Sequence, residues 1–210
     1  MKSMNRHPAL TVALAALALA AAAAAPFAAH ASLADVAAHL KATHSLEAEF
    51  TQTGANGRVE HGHMTLARPG RVRFQYENAP ILVVADGRAL NLIDYKVSQV
   101  SSWPIRGTPL AVLLDDTLDL ARFARVTHES AQEITVEAAD PAHPQYGVTT
   151  LDFVRDSKAP AGWREAGWQV RDAQGNLTRV TLSQIRYNID VNAALFRFRD
   201  PRQPRIPGKG

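Results

Sequence analysis

Met64-Thr65-Leu66-Ala67-Arg68-Pro69-Gly70-Arg71-Val72-Arg73-Phe74-Gln75-Tyr76 reads as two strands and the turn between them. Successive side chains of a strand point to opposite faces. Met64, Leu66 and Arg68 therefore share one face of the first strand. Val72, Phe74 and Tyr76 share a face of the second, and Arg71, Arg73 and Gln75 take the other. Pro69-Gly70 is a turn dipeptide. An arginine at the end of an apolar face is the one discordant residue, because a charge there is costly unless paired.

Working outward, the same period begins near Ser45 and continues after the pair. Ile81 to Val84 is a short apolar run followed by Asp86-Gly87, a strong hairpin signal. Strands are expected over 90–95 and 97–103, and a second set over 125–186, with turns at Asp140-Pro141, Lys158-Ala159-Pro160 and Gln174-Gly175-Asn176. Many short strands at near-regular spacing predict an antiparallel sheet curled into a barrel or half-barrel. Two segments break the pattern. Leu33, Val36, Ala37 and Leu40 recur at helical spacing behind Ser32, which is placed to cap the helix, with Asp35 three residues on. Leu110, Val112, Leu113 and Leu114, then Leu118, Leu120 and Phe123, form an apolar helical insert that needs a surface to cover, and the mouth of a curved sheet supplies one. From the residues alone, the apolar face is either a core packed shut or a cavity with a lid.

The first residues set the compartment. Lys2 and Arg6 precede an apolar run over 9–25, and Ala29-His30-Ala31 follows Pro26. Charged start, apolar middle and small-x-small end describe a secretory signal peptide, with cleavage after Ala31. A single domain over 32–210 is then expected, 179 residues carrying a net charge of +1, with 201–210 as a flexible tail. That balance, with no basic stripe interleaved with aromatics, argues against nucleic acid. The chain has no cysteine, hence no disulfide, thiol nucleophile or cysteine metal site. Ser32 in place of cysteine after the cleavage site also means no lipoprotein anchor there.

Enzyme signatures are missing: no G-x-S-x-G elbow, no phosphate-binding glycine loop, no H-E-x-x-H. His61 and His63 share a strand face but lack a third ligand, and metal sites need three or four. Asp115-Asp116 are adjacent and would diverge on a helix. His39 and His44 are read as surface residues. No cofactor, metal or catalytic residue is expected.

Over 46–114 the chain resembles the LolA family of periplasmic outer-membrane lipoprotein carriers. Glu49-Phe50-Thr51-Gln52-Thr53 matches the family's opening strand, and Leu66 to Phe74 its Arg-Pro strand pair. Val84 to Leu90 matches its Asp-Gly hairpin, and Trp103 to Leu114, through Thr108-Pro109-Leu110, its approach to the lid. The match fades in the second half, although 182–188 and 196–201 are similar to family endings. Val72 and Phe74 depart from the aromatic and the tryptophan often found there, which leaves the client range open.

The resemblance implies an α+β fold: an unclosed, strongly curved antiparallel β-sheet, or half-barrel, with helices as a lid over its concave apolar face. It implies a monomeric periplasmic chaperone that takes acylated lipoproteins from an inner-membrane lipoprotein-releasing transporter to an outer-membrane acceptor. Phe50, Leu66, Val72, Phe74, Tyr76, Leu92, Leu110, Val112, Leu113 and Leu114 would line the site, and Arg68 would latch the empty lid. Burial is worth about 0.8 kcal/mol per methylene, so an acyl chain of about 16 carbons costs on the order of 12 kcal/mol to leave in water. A carrier must offset that energy with bonds broken on loading, or it never releases its client. A carrier of another lipid, a lipoprotein-stress sensor on the same fold and a lipid hydrolase are the alternatives, the last lacking any catalytic constellation.

Overall fold

The computed structural model of the protein describes residues 32–105, 111–114 and 120–203, without the side chains of Val112 and Leu113. The leader 1–31, Thr108-Pro109-Leu110, Asp115-Asp116 and most of the expected tail lie outside the described residues. Helix α1 (Leu33–Ala42) opens the described chain. The Asp35 carboxylate accepts from the Ser32 N–H at 2.7 Å and from its hydroxyl at 3.0 Å, so the short acid fixes the helix start.

Eleven strands follow: β1 (Ser45–Thr53), β2 (Val59–Ala67), β3 (Arg71–Tyr76), β4 (Ile81–Asp86), β5 (Ala89–Asp94), β6 (Gln99–Pro104), β7 (Ala124–Glu129), β8 (Glu133–Ala139), β9 (Val148–Arg155), β10 (Trp163–Arg171) and β11 (Leu177–Tyr187). All neighbours pair antiparallel in one sheet of order β6-β5-β4-β3-β2-β1-β11-β10-β9-β8-β7. The first and last strands thus meet at the centre, and β6 and β7 are opposite edges left apart. This is the expected unclosed sheet.

The order dictates where a lid must lie. The chain leaves the sheet at one edge, β6, and re-enters at the other, β7. Its connection carries α2 (Ala111–Leu114) and α3 (Leu120–Phe123), and Leu114 and Leu120 are buried in the same core as the concave face. Among the described residues, the expected helical insert carries two short helices. Strand β6 starts at Gln99 and not at Val97, because the Asp94 carboxylate takes the Lys96 and Val97 amides and turns the chain there.

Leu46, Ala48 and Phe50 of β1, Met64 and Leu66 of β2 and Val72 and Phe74 of β3 face the concave side, together with Leu151, Phe153, Trp163, Trp168, Val180 and Leu182. Helix α1 sits on this face, packed on β10, β7 and α3 through the buried Val36 and Leu40. Gly62 makes room for an aromatic: a Cβ there would lie 2.1 Å from the Gln75 carbonyl and 2.8 Å from the Phe50 ring. A smaller core lies on the convex face. Ala67, Leu82, Val84 and Ile93 are covered by Phe196, from a turn of 3-10 helix at Ala193–Phe196. Arg71 stacks on the Phe196 ring at 5.4 Å, and Arg73 Nη1 donates to the Leu195 carbonyl at 3.0 Å. Burial on both faces explains why 81–85 is apolar without alternation.

Candidate functional site

The concave face is aromatic at its centre. The Phe50 ring meets Phe74 at 5.5 Å and Tyr76 at 5.2 Å, and Phe74 meets Trp168 at 6.0 Å, all edge-to-face. This geometry favours aromatic pairs. The Tyr76 hydroxyl donates to Gln52 Oε1 at 2.9 Å, and burial holds its pKa up at about 12. Phe50, Leu66, Val72, Phe74, Tyr76 and Leu114 belong to one continuous cluster. Leu92 shares the face, paired across β4 and β5 with Val83, but stands 36% exposed. Leu110 and the side chains of Val112 and Leu113 lie outside the described residues. Three tryptophans stand outside the expected lining: Trp103, which is 45% exposed and pairs with Leu90 at the sheet edge, and the buried Trp163 and Trp168.

Arg68 follows the last residue of β2 directly. Its amide donates to the His44 carbonyl at 2.8 Å. Two residues on, Gly70, at φ 70°, gives its N–H to the Leu114 carbonyl of α2 at 2.9 Å. The Arg68-Pro69-Gly70 turn is thereby bonded to the lid. Arg68 is half-buried, with Nε and Nη1 shielded from solvent, and its charge acts on two buried groups, His39 and Glu165.

His39 is 1% exposed, which corrects its reading as a surface residue. It lies three residues after Val36, on the buried face of α1, and its Nδ1 donates to the Pro160 carbonyl at 3.0 Å. Its ring meets Phe153 at 5.5 Å and Tyr187 at 5.7 Å. Burial lowers its pKa, and Arg68 lowers it further. Glu165 is 3% exposed, and burial raises its pKa to about 7 against the pull of Arg68. A bulge after Glu165 shifts the register so that both Glu165 and Trp168 face inward. Gly167 permits it, since a Cβ there would lie 2.1 Å from the Val180 carbonyl. Strict alternation from Trp163 would have turned Trp168 outward.

His61 and His63 are exposed on β2. His61 shares a hydrogen bond with Thr51 at 3.0 Å, and His63 faces Glu77 at 3.6 Å. Among the described residues no three His, Asp or Glu side chains gather to hold a metal, and no helix is long and apolar enough to cross a membrane.

An open sheet curved over an aromatic floor, with α2 and α3 of the β6–β7 connection packed on that floor, defines a half-barrel with a lid. Residues 41–199 match the family model described as outer membrane lipoprotein carrier protein LolA, and the chain belongs to that family. An outer-membrane lipoprotein carrier protein of Chromohalobacter salexigens is 30% identical, covering 93% of this chain and 97% of that one. Another, from Chromobacterium violaceum, is also 30% identical over 81% and 84% of the two chains. The crystal structure of a DUF1329 family protein from Desulfovibrio piger shares the fold alone, at 10% identity and a TM-score of 0.50, covering 77% of this chain and 93% of that one.

Proposed function

We propose that the chain is a periplasmic chaperone for acylated lipoproteins, carrying them from the inner to the outer membrane. The observation that carries this reading is the apolar concave face, with Leu114 and Leu120 of the edge-to-edge connection packed on it. Phe50, Leu66, Val72, Phe74, Tyr76, Leu92 and the insert residues Leu110, Val112, Leu113 and Leu114 form the acyl-chain site. The exposed Leu92 and Trp103 make the β6 edge the side at which a chain first meets the face. No covalent bond is made or broken in this work, and the chain acts without a cofactor.

Arg68 is the latch. Its support is the turn it begins, which holds α2 through Gly70 and Leu114. A client that lifts the lid breaks bonds of this turn. A neutral backbone bond is worth roughly 0.5–1.5 kcal/mol and one donated by a guanidinium roughly 1.5–3 kcal/mol, so loading offsets part of the burial energy and leaves release possible. The leader is removed after Ala31 and the 32–210 domain works as a monomer. It takes its client from a lipoprotein-releasing transporter and yields it to an outer-membrane acceptor.

The test is a release assay. Protein purified from the periplasm is incubated with spheroplasts exporting acylated lipoproteins, and the soluble fraction is examined for a one-to-one complex. A complex containing triacylated client is the expected result. Its absence with folded protein and active export overturns the lipoprotein reading.

A further inference from the structure

Glu165 is an acid in an apolar place. It is the only buried carboxylate among the described residues, and its Oε1 has no hydrogen-bond partner there. Strand β10 presents it to the concave side between Trp163 and Trp168. Arg68, from the end of β2, acts on it, and it acts on Tyr187 from the end of β11, whose ring meets His39 of α1 at 5.7 Å. Arg164 and Asp156 act in turn on Tyr187, whose pKa is pushed up by burial, so Tyr187 stays neutral.

Resting on the carrier reading, a difficulty arises when the lid lifts. An arginine cannot shed its proton in a protein. Once the turn lets go of α2, a guanidinium stands beside acyl chains, where a bare charge is prohibitively unfavourable. A counter-charge must be within reach, and it must be inside the cavity. We propose that Glu165 is the positioning residue that receives Arg68 when client enters, so that the guanidinium leaves the latch turn and pairs with the Glu165 carboxylate. The unmet Oε1 of the empty protein is then satisfied in the loaded one. The lid opens onto a prepared partner.

The pairing has a proton signature. Burial holds Glu165 near pKa 7 with Arg68 at its present position. Closer approach of the cation favours the ionised form, so loading releases a proton near neutral pH. Affinity for an acyl chain should therefore rise as pH rises toward about 7 and level off above it, where Glu165 is ionised before client enters. His39, with its pKa lowered from the ordinary 6.5 by burial, gives up its proton at lower pH than Glu165 does.

Binding of a fluorescent 16-carbon fatty acyl probe, measured with protein purified from the periplasm, is the test. Glu165→Gln should weaken binding ~10-fold at pH 8 in the presence of Arg68, and by less than ~2-fold when Arg68→Leu is also present, as a direct pairwise coupling requires. The pH dependence should vanish in Glu165→Gln and persist in Glu165→Asp. Equal losses in both backgrounds would make Glu165 a structural residue and overturn the pairing. So would undiminished binding by Glu165→Gln. If the unmodified protein does not bind the probe at all, the carrier reading falls, and the pairing with it.

Discussion

Arg68 was legible because it broke a pattern. Its neighbours at two-residue spacing, Met64 and Leu66, are buried in the concave core, and a cation placed after them demanded an explanation. Arg68→Leu removes the charge and keeps an apolar body. The variant should bind client at least as tightly and transfer it ~10-fold more slowly or worse, the factor that one lost charge-assisted bond implies. Equal transfer rates in an acceptor assay would refute the latch. His39 and Glu165 were not legible, since their partners come from distant segments: the Pro160 carbonyl for His39, the bulged β10 for Glu165. Glu165 also gives a stability test. Its folded pKa of about 7 lies above the ordinary 4.5. Between those values the folded protein keeps a proton that the unfolded chain has lost, so stability falls as pH rises toward 7. His39, shifted downward, works in the opposite sense below its ordinary 6.5 and is common to both proteins in a comparison. Glu165→Gln should therefore raise Tm at pH 8 relative to the parent, and the gain should disappear by pH 5. Thermal melts at the two pH values decide it, and a gain independent of pH would contradict the shift.

Strands and hairpins were readable because period two and turn dipeptides are local. The bulge of β10 was not, because it is set by how Gly167 passes the Val180 carbonyl on β11. The convex core was equally hidden. Nothing near Phe196 in sequence shows that it will cover Leu82, Val84 and Ile93, more than a hundred residues upstream. This element supports a prediction about stability alone. Phe196 is 3% exposed and faces away from the aromatic floor. Phe196→Ala should destabilise the protein by about 3–5 kcal/mol, the usual range for emptying a buried phenylalanine site, with acyl-probe affinity within twofold of the parent. Chemical denaturation read beside probe titration separates the two effects. A large loss of affinity in folded protein would mean that the convex cover shapes the cavity.

At the scale of the molecule, neighbouring strands could be paired from sequence, but the joining of β1 to β11 could not. That contact brings chain ends together over 130 residues and depends on the curvature of the whole sheet. It also separates the molecule into parts of unequal firmness. Central strands β2, β1, β11 and β10 have partners on both sides, and the apolar floor lies on them. The edges β6 and β7 have one partner each, and the lid between them is tied to the sheet by contacts such as Gly70 to Leu114. Low-stability parts open locally without unfolding the rest. Amide hydrogen exchange should accordingly show the slowest exchange in β1 and β11 in both empty and client-loaded protein. The Gly70 amide should report the lid: protected while its bond to the Leu114 carbonyl stands, and faster by ~10-fold or more once client has lifted α2, the factor expected for loss of one hydrogen bond worth about 1.5 kcal/mol. Unchanged protection of Gly70 in a demonstrated complex would mean that the lid stays docked, and that a client enters past Leu92 and Trp103 at the β6 edge without opening the turn that Arg68 begins.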